Sequence, residues 1–318
     1  MKIVVDVMGS DKGPESIIKG ALLGMEREEI GLILVGERER ISSMLNHEGI
    51  SSSGITIEGT TKVIAMEEKL SLRLLKDKNS SLFEGVRLIK EQKADAVISA
   101  GNTAAFVGIA VSQLRFLPGI DRPAIAVFLP TRKESCIFLD VGATVDAEPG
   151  NLLQYAIMGN ICSQMLLGKE NPAIGLLNIG EEQTKGNSLT KKTYPLLSAS
   201  SLNFKGNVES QNIFSGDVDV IVTDGFAGNL VLKACEGISE FWRGMMKDKE
   251  MKKRADYAEY GGGLLLGVEG ICIISHGRSS ASAIANAVRL GKKAIASQLI
   301  SHLKLALKEF KIPDKENY

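Results

Sequence analysis

The residues best suited to chemistry in this 318-residue sequence stand at the ends of short apolar runs. Asp6 leads into Met8-Gly9-Ser10-Asp11, and the run ending at Ser99 leads into Ala100-Gly101-Asn102-Thr103. Asp140 is followed by Val141-Gly142-Ala143. Asn178-Ile179-Gly180-Glu181-Glu182 is trailed closely by Lys185-Gly186-Asn187. Asp224-Gly225-Phe226 precedes Gly228-Asn229, and Ser275-His276-Gly277 closes the series. Each segment sets Gly beside Asp, Asn or His. One alone reads as a turn whose polar residue caps the next helix. Six of them on one sheet edge predict a polar site. Helix N-termini there would offer backbone N–H groups to an anion.

Several chemistries are missing. Gly9-Ser10-Asp11-Lys12-Gly13 does not fit the dinucleotide pattern GxGxxG, and no GxxxxGK[ST] loop or GxSxG elbow occurs. His47 and His302 fall in helical or loop stretches and read as surface residues, whereas His276 lies at a strand end among glycines. With these three histidines and four scattered cysteines (Cys136, Cys162, Cys235, Cys272), no metal site is expected. The cysteines read as buried free thiols of a reducing compartment.

The elements that must position these residues alternate between short apolar runs and helical patterns. Strands are expected at 2–7, 31–36, 55–58, 94–99, 124–129, 136–141, 173–178, 218–223 and 270–275. Helices are expected from Pro14 to about 28, at 37–45, from Ser80 or Ser81 to 92, at 103–114, from Pro149 towards 167, at 187–198, from 228, and over 279–310. The short link Pro130-Thr131-Arg132-Lys133-Glu134 predicts a hairpin, so the sheet is mixed. The expected fold is a three-layer α/β/α Rossmann-like sandwich with a largely parallel sheet. In such a sheet ligands bind beyond the carboxyl ends of the strands. No linker or repeat divides the chain, so 1–318 reads as a single catalytic α/β/α domain.

Lys plus Arg equals Asp plus Glu at 38 each, which gives no general field for nucleic acid. No apolar run approaches the ~18 residues that span a bilayer, and no signal peptide precedes the first strand. A cytoplasmic protein is expected.

The same motifs, together with Pro118-Gly119-Ile120-Asp121-Arg122-Pro123 and Asp256-Tyr257-Ala258-Glu259-Tyr260-Gly261-Gly262, resemble those of phosphate acyltransferases of the PlsX type. The resemblance covers nearly the whole chain in order. Ser10, Lys12, Ala104, Thr144 and Arg278 depart from it, and the stretch after Trp242 is short. It implies transfer of a fatty acyl group from acyl carrier protein to inorganic phosphate. The acyl phosphate would feed phosphatidic acid and phospholipid synthesis, through a glycerol-3-phosphate acyltransferase. It also implies a fold similar to phosphotransacetylases and isopropylmalate dehydrogenases, a homodimer, peripheral membrane attachment, and no metal, nucleotide or other cofactor.

The chemistry suits the residues. Phosphate is already an anion near neutral pH and needs positioning more than deprotonation. Attack creates an oxyanion that needs preorganised donors. A thiolate leaves readily, its free pKa being about 8.5. On this reading Lys185 is the main cation for phosphate or the oxyanion. Asn102, Thr103 and Asn229 are donors at helix starts, and His276 donates to the oxyanion or to sulfur. Asp6, Asp140 and Asp224 orient donors and cations, since like charges repel. Gly9, Asp11, Gly101, Asn178, Gly180, Glu181, Asn187 and Gly225 complete the substrate-binding set.

One segment, 230–258, reads as a protruding amphipathic helix. Leu230, Ala234, Ile238, Phe241 and Met245 share a stripe. Beside it lie Trp242, Met246 and the run 247–254, with five positive and two negative side chains. Phe241, Trp242, Met245 and Met246, with Lys252, Lys253 and Arg254, would contact a membrane interface or the carrier protein. Three other readings stay open: a coenzyme-A-dependent phosphate acetyl- or butyryltransferase, a decarboxylating dehydrogenase, and a non-catalytic scaffold for carrier protein.

Overall fold

The computed structural model describes residues 1–25, 30–47, 49, 53–248 and 262–310. Its strands in chain order are β1 (Lys2–Asp6), β2 (Gly31–Gly36), β3 (Ile55–Gly59), β4 (Ala96–Ser99), β5 (Ala124–Pro130), β6 (Ser135–Leu139), β7 (Ile174–Asn178), β8 (Phe204–Glu209), β9 (Val220–Val222), β10 (Gly263–Leu266) and β11 (Ile271–Ile274). The helices are α1 (Gly13–Met25), α2 (Arg38–His47), α3 (Leu72–Leu75), α4 (Ser81–Lys90), α5 (Thr103–Gln113), α6 (Pro149–Cys162), α7 (Ser188–Ala199), α8 (Gly225–Met245), α9 (Ala281–Ala296) and α10 (Leu299–Glu309).

Contacts divide the chain into two compact units, each assembled from separate stretches. The first comprises residues 1–115 and 258–296. Its strands run β3-β2-β1-β4-β11-β10, parallel except for the antiparallel β10–β11 pair. Helices α1 and α9 pack together, as do α4 and α5. Ile3, Val4, Val5, Leu34 and Ile98 are completely buried, which explains why these strands read as unbroken apolar runs.

The second unit comprises 116–257 and 297–318. Its strands run β5-β6-β9-β7-β8. The β5–β6 hairpin is antiparallel as expected, and the remaining pairs are parallel. Helix α6 lies on β6 and β9, flanked by α7 and α10. A mixed, mostly parallel sheet with covering helices is therefore the architecture.

The structure adds β8, β10 and α3 to the expected elements. Strand β8 is a mostly half-buried edge strand with polar residues at alternate positions, and β10 sits in a glycine-rich stretch. Helix α8 starts at Gly225, three residues ahead of expectation, because Asp224 caps it. The closing helical stretch breaks at Gln298, whose φ is +51°.

Candidate active site

In the first unit three strand ends are tied together by side chains. Asp6, 2% exposed, ends β1. Its Oδ2 accepts a hydrogen bond from Ser99 Oγ (2.8 Å) and its Oδ1 accepts one from Met8 N (3.0 Å). Ser99 Oγ in turn accepts from Gly101 N (3.0 Å). One carboxylate thus fixes the turns after β1 and β4. Ser10 Oγ and Asp11 N both donate to Gly277 O at 3.0 Å, which joins the first loop to the His276 loop. Ser10, a departure from the family pattern, therefore has a structural task.

His276 is half-buried, and its Nδ1 accepts from Arg278 N (3.1 Å). In the neutral ring this places the proton on Nε2. Only the backbone of Arg278 is needed for that. Asn102 is committed to the protein. Its Oδ1 caps α5 through Ala105 N (3.0 Å). Its Nδ2 donates to the carbonyls of Ala65, Met66 and Glu68, each at 3.0 Å. Thr103 is exposed in the first turn of α5.

Burial pushes the Asp6 pKa up to about 6, against the lowering hydrogen bonds from Ser99, Met8 and Ser81. A carboxyl raised above its ordinary 3.8 stabilises the fold fully below that value and loses the contribution as pH rises through about 6. From pH 4 to 7 the native protein is expected to lose roughly 2 kcal/mol relative to Asp6→Asn, at about 1.4 kcal/mol per pKa unit, most of the full shift falling inside that window. Urea melts of both proteins across that range check it; parallel curves would contradict it.

In the second unit Asp140, fully buried, follows β6. Its Oδ1 accepts from Ile125 N (2.8 Å), Gly142 N (3.1 Å) and Ala143 N (2.9 Å), and its Oδ2 from Thr144 N (2.7 Å). Burial pushes its pKa up to about 6 while these N–H groups act to lower it. Thr144 Oγ1 donates to Pro123 O (2.8 Å), which holds the far end of the turn. Asp224 caps α8 through Phe226 N and Ala227 N. The first turn of α8 then rests on the Asp140 turn. A β-carbon at Gly142 would lie 3.4 Å from Asn229 Nδ2, and one at Gly225 would lie 2.8 Å from Asp140 Oδ2. Asp140, Asp224, Gly225 and Asn229 are thereby brought together.

The turn after β7 is built separately. Asn178 Nδ2 donates to Lys185 O (3.2 Å), and Lys185 N donates to Glu182 O (3.0 Å). Gly186 has φ +100°, and a β-carbon there would meet Thr190 Oγ1 at 2.1 Å. Only glycine fits that corner. Asn187 caps α7 through Thr190 N (2.9 Å). Glu181 Oε1 accepts from Asn212 Nδ2 (3.4 Å), and Gly180 is buried beside Lys185. Lys185 is exposed and forms no salt bridge among the described residues.

Ser99 and Thr144 are not among the site residues expected from sequence, yet both hold turns of the site. For Ser99 the available signal is a hydroxyl standing at the end of an apolar strand; Thr144, five residues past β6, carries no such signal. Along α8 only Gly225 and Gly228 are buried. Phe241, Trp242 and Met245 are 59%, 51% and 60% exposed, and Met246 is half-buried. Lys252, Lys253 and Arg254 lie outside the described residues. Among the described residues no helix is long and apolar enough to cross a membrane.

The fold is similar to that of solved phosphotransacylases. A phosphotransacetylase from Streptococcus pyogenes superposes with a TM-score of 0.64 at 21% identity, covering 93% of this chain and 94% of that one. A branched-chain phosphotransacylase from Enterococcus faecalis V583 gives 0.63 at 14% identity, covering 93% and 99%. The fold is thus that of the Rossmann-like phosphotransacylase class. Residues 1–302 match the family described as "Fatty acid synthesis protein". A phosphate acyltransferase of Desulfitobacterium hafniense (strain DSM 10664 / DCB-2) is 45% identical over 330 residues, spanning 98% of each chain. The chain belongs to this fatty acid synthesis protein family and is an acyltransferase of lipid synthesis.

Proposed function

We propose that the protein takes a fatty acyl group from acyl carrier protein and delivers it to inorganic phosphate. The observation that carries this reading is the turn after β7, where an exposed lysine stands beside the capped N-terminus of α7. A cation next to the N-terminal N–H groups of a helix suits a phosphate. A phosphate oxygen attacks the thioester carbonyl carbon, an oxyanion forms, the C–S bond breaks, and the thiolate takes up a proton. Lys185 neutralises phosphate or the oxyanion, Asn229 donates from the first turn of α8, and His276 donates its Nε2 proton to the oxyanion or to sulfur. Asp6, Asp140 and Asp224 act by holding turns. Asn102 acts by holding α5 and the segment it clamps, while Thr103 stands in the first turn of that helix. Gly9, Asp11, Gly101, Asn178, Gly180, Glu181, Asn187 and Gly225 shape the loops around substrate.

The test is to incubate the protein with palmitoyl-acyl-carrier protein and labelled phosphate and trap acyl phosphate with hydroxylamine. Product that requires both substrates is expected. Product formed instead from acyl-coenzyme A alone would move the reading to a coenzyme-A-dependent transferase. Bound carrier protein without product would favour a scaffold.

The protein is read as a cytoplasmic homodimer that touches the membrane peripherally and passes its product to a glycerol-3-phosphate acyltransferase. The exposed cluster at the end of α8, with the basic run that follows it in sequence, would enter the interface of an anionic bilayer. Trp242→Glu is expected to cut liposome flotation several-fold while leaving the melting temperature unchanged; undiminished flotation would count against this contact.

A further inference from the structure

The segment 60–75 of the first unit is a strap with an unusual surface. Among the described residues of this unit six large hydrophobic side chains are exposed, and four of them fall within ten positions: Val63 (37%), Met66 (40%), Leu70 (49%) and Leu72 (75%). Their exposure does not come from a loose backbone. Ile64 and Leu74 anchor the strap in the core at 2% and 3% exposure. Asn102 grips the carbonyls of Ala65, Met66 and Glu68. Ser71 caps α3 through Leu74 N (3.2 Å), Ser81 N donates to Lys62 O (3.1 Å), and Lys62 pairs with Asp77.

The apolar side chains begin at the polar loops. A β-carbon at Gly277 would lie 3.1 Å from Met66 Cε, and one at Gly9 would lie 3.8 Å from Val63 Cγ1. At the other end, a β-carbon at Gly108 of α5 would lie 2.9 Å from Leu70 Cδ1 and 2.8 Å from Leu75 Cδ2. A firmly held backbone thus carries apolar side chains from the loops of Asp6 and His276 outwards, with Glu67, Glu68 and Lys69 exposed between them.

We infer that this strap receives the alkyl chain of the acyl donor, and so sets chain-length preference. The inference rests on the acyl-transfer reading above. In that reaction the thioester carbonyl must sit at polar donors while the chain attached to it must leave water. Each methylene removed from water contributes about 0.8 kcal/mol, so even partial cover of a long chain by four side chains separates long from short donors. The occupant is the chain itself, because the apolar run starts at the loops that would hold its carbonyl end.

The experiment measures kcat/KM for palmitoyl- and butyryl-acyl-carrier protein at saturating phosphate. Wild type is compared with Met66→Glu, Leu70→Glu and the milder Leu72→Ala, with melting curves confirming the fold. The palmitoyl-to-butyryl ratio is expected to fall about tenfold in the glutamate variants and a few-fold in Leu72→Ala, the loss expected for withdrawing a few methylenes from cover. Two results overturn the inference with acyl transfer intact. In one the ratio is unchanged. In the other both donors weaken equally, which would make the strap a contact for the carrier protein instead. A wild type that forms acyl phosphate from neither donor overturns the acyl-transfer reading, and this inference with it.

Discussion

Lys185→Ala is expected to lower kcat/KM for acyl phosphate formation by about a hundredfold, the usual loss when one charge-stabilising donor is removed. That is about 2.7 kcal/mol of transition-state stabilisation. The backbone of the turn does not depend on this side chain. Its main-chain N–H and carbonyl are the groups engaged, with Glu182 O and Asn178 Nδ2. The melting temperature should therefore stay put while activity falls. Lys185→Arg keeps the charge but replaces a compact ammonium with a planar fork, so partial rescue is expected. A rise in KM for phosphate would place the ammonium on the ground-state anion; a fall in kcat alone would place it on the oxyanion. Activity within twofold of wild type would remove Lys185 from the chemistry altogether.

Gly228→Ala is expected to cost about 3 kcal/mol or more, at the upper end of what overpacking does. A β-carbon at Gly228 would lie 1.8 Å from Asp140 O, and that neighbour is backbone that cannot rotate aside. To admit the methyl group, the first turn of α8 must lift off the Asp140 turn. Lifting it separates Asn229 from Gly142 and exposes a carboxylate held by four N–H groups. A fall of about 10 °C in melting temperature should accompany the loss, at roughly 2–4 °C per kcal/mol for a chain of this size. Gly237 provides an internal control in the same helix, since nothing lies within 4 Å of a β-carbon there. Gly237→Ala should be neutral or add up to about 1 kcal/mol, as alanine is the better helix former. Equal melting of the two variants would mean that the tight approach at Gly228 does not exist.

Much of this protein is legible from local sequence. The apolar strands, the N-caps at Ser80, Asn102 and Asn187, and the β5–β6 hairpin follow from patterns a few residues long. The edge on which polar residues gather is legible for a related reason. Within each unit the parallel strands present their carboxyl ends on one side, so the residues that follow them gather there. Asp6, Ser99, Asp140, Asn178, Asp224 and Ser275 could thus be assigned to strand ends without coordinates.

What tertiary structure alone decided concerns partners far apart in the chain. The two units are each built from separated stretches, so no linker composition announces them. Strand β8 carries a polar alternation that only its edge position next to β7 turns into a strand. Asn102 looks identical in sequence whether its amide faces substrate or grips three carbonyls some 35 residues earlier, and the fold chose the second. The same holds for Ser99 on Asp6, 93 positions apart, and for the hydrophobic strap, whose exposed side chains only the tertiary burial reveals. Composition and spacing fix which groups are available at an edge. Which of them are consumed in holding the edge together depends on long-range packing, because a hydrogen bond or an apolar contact has no preference for neighbours in sequence.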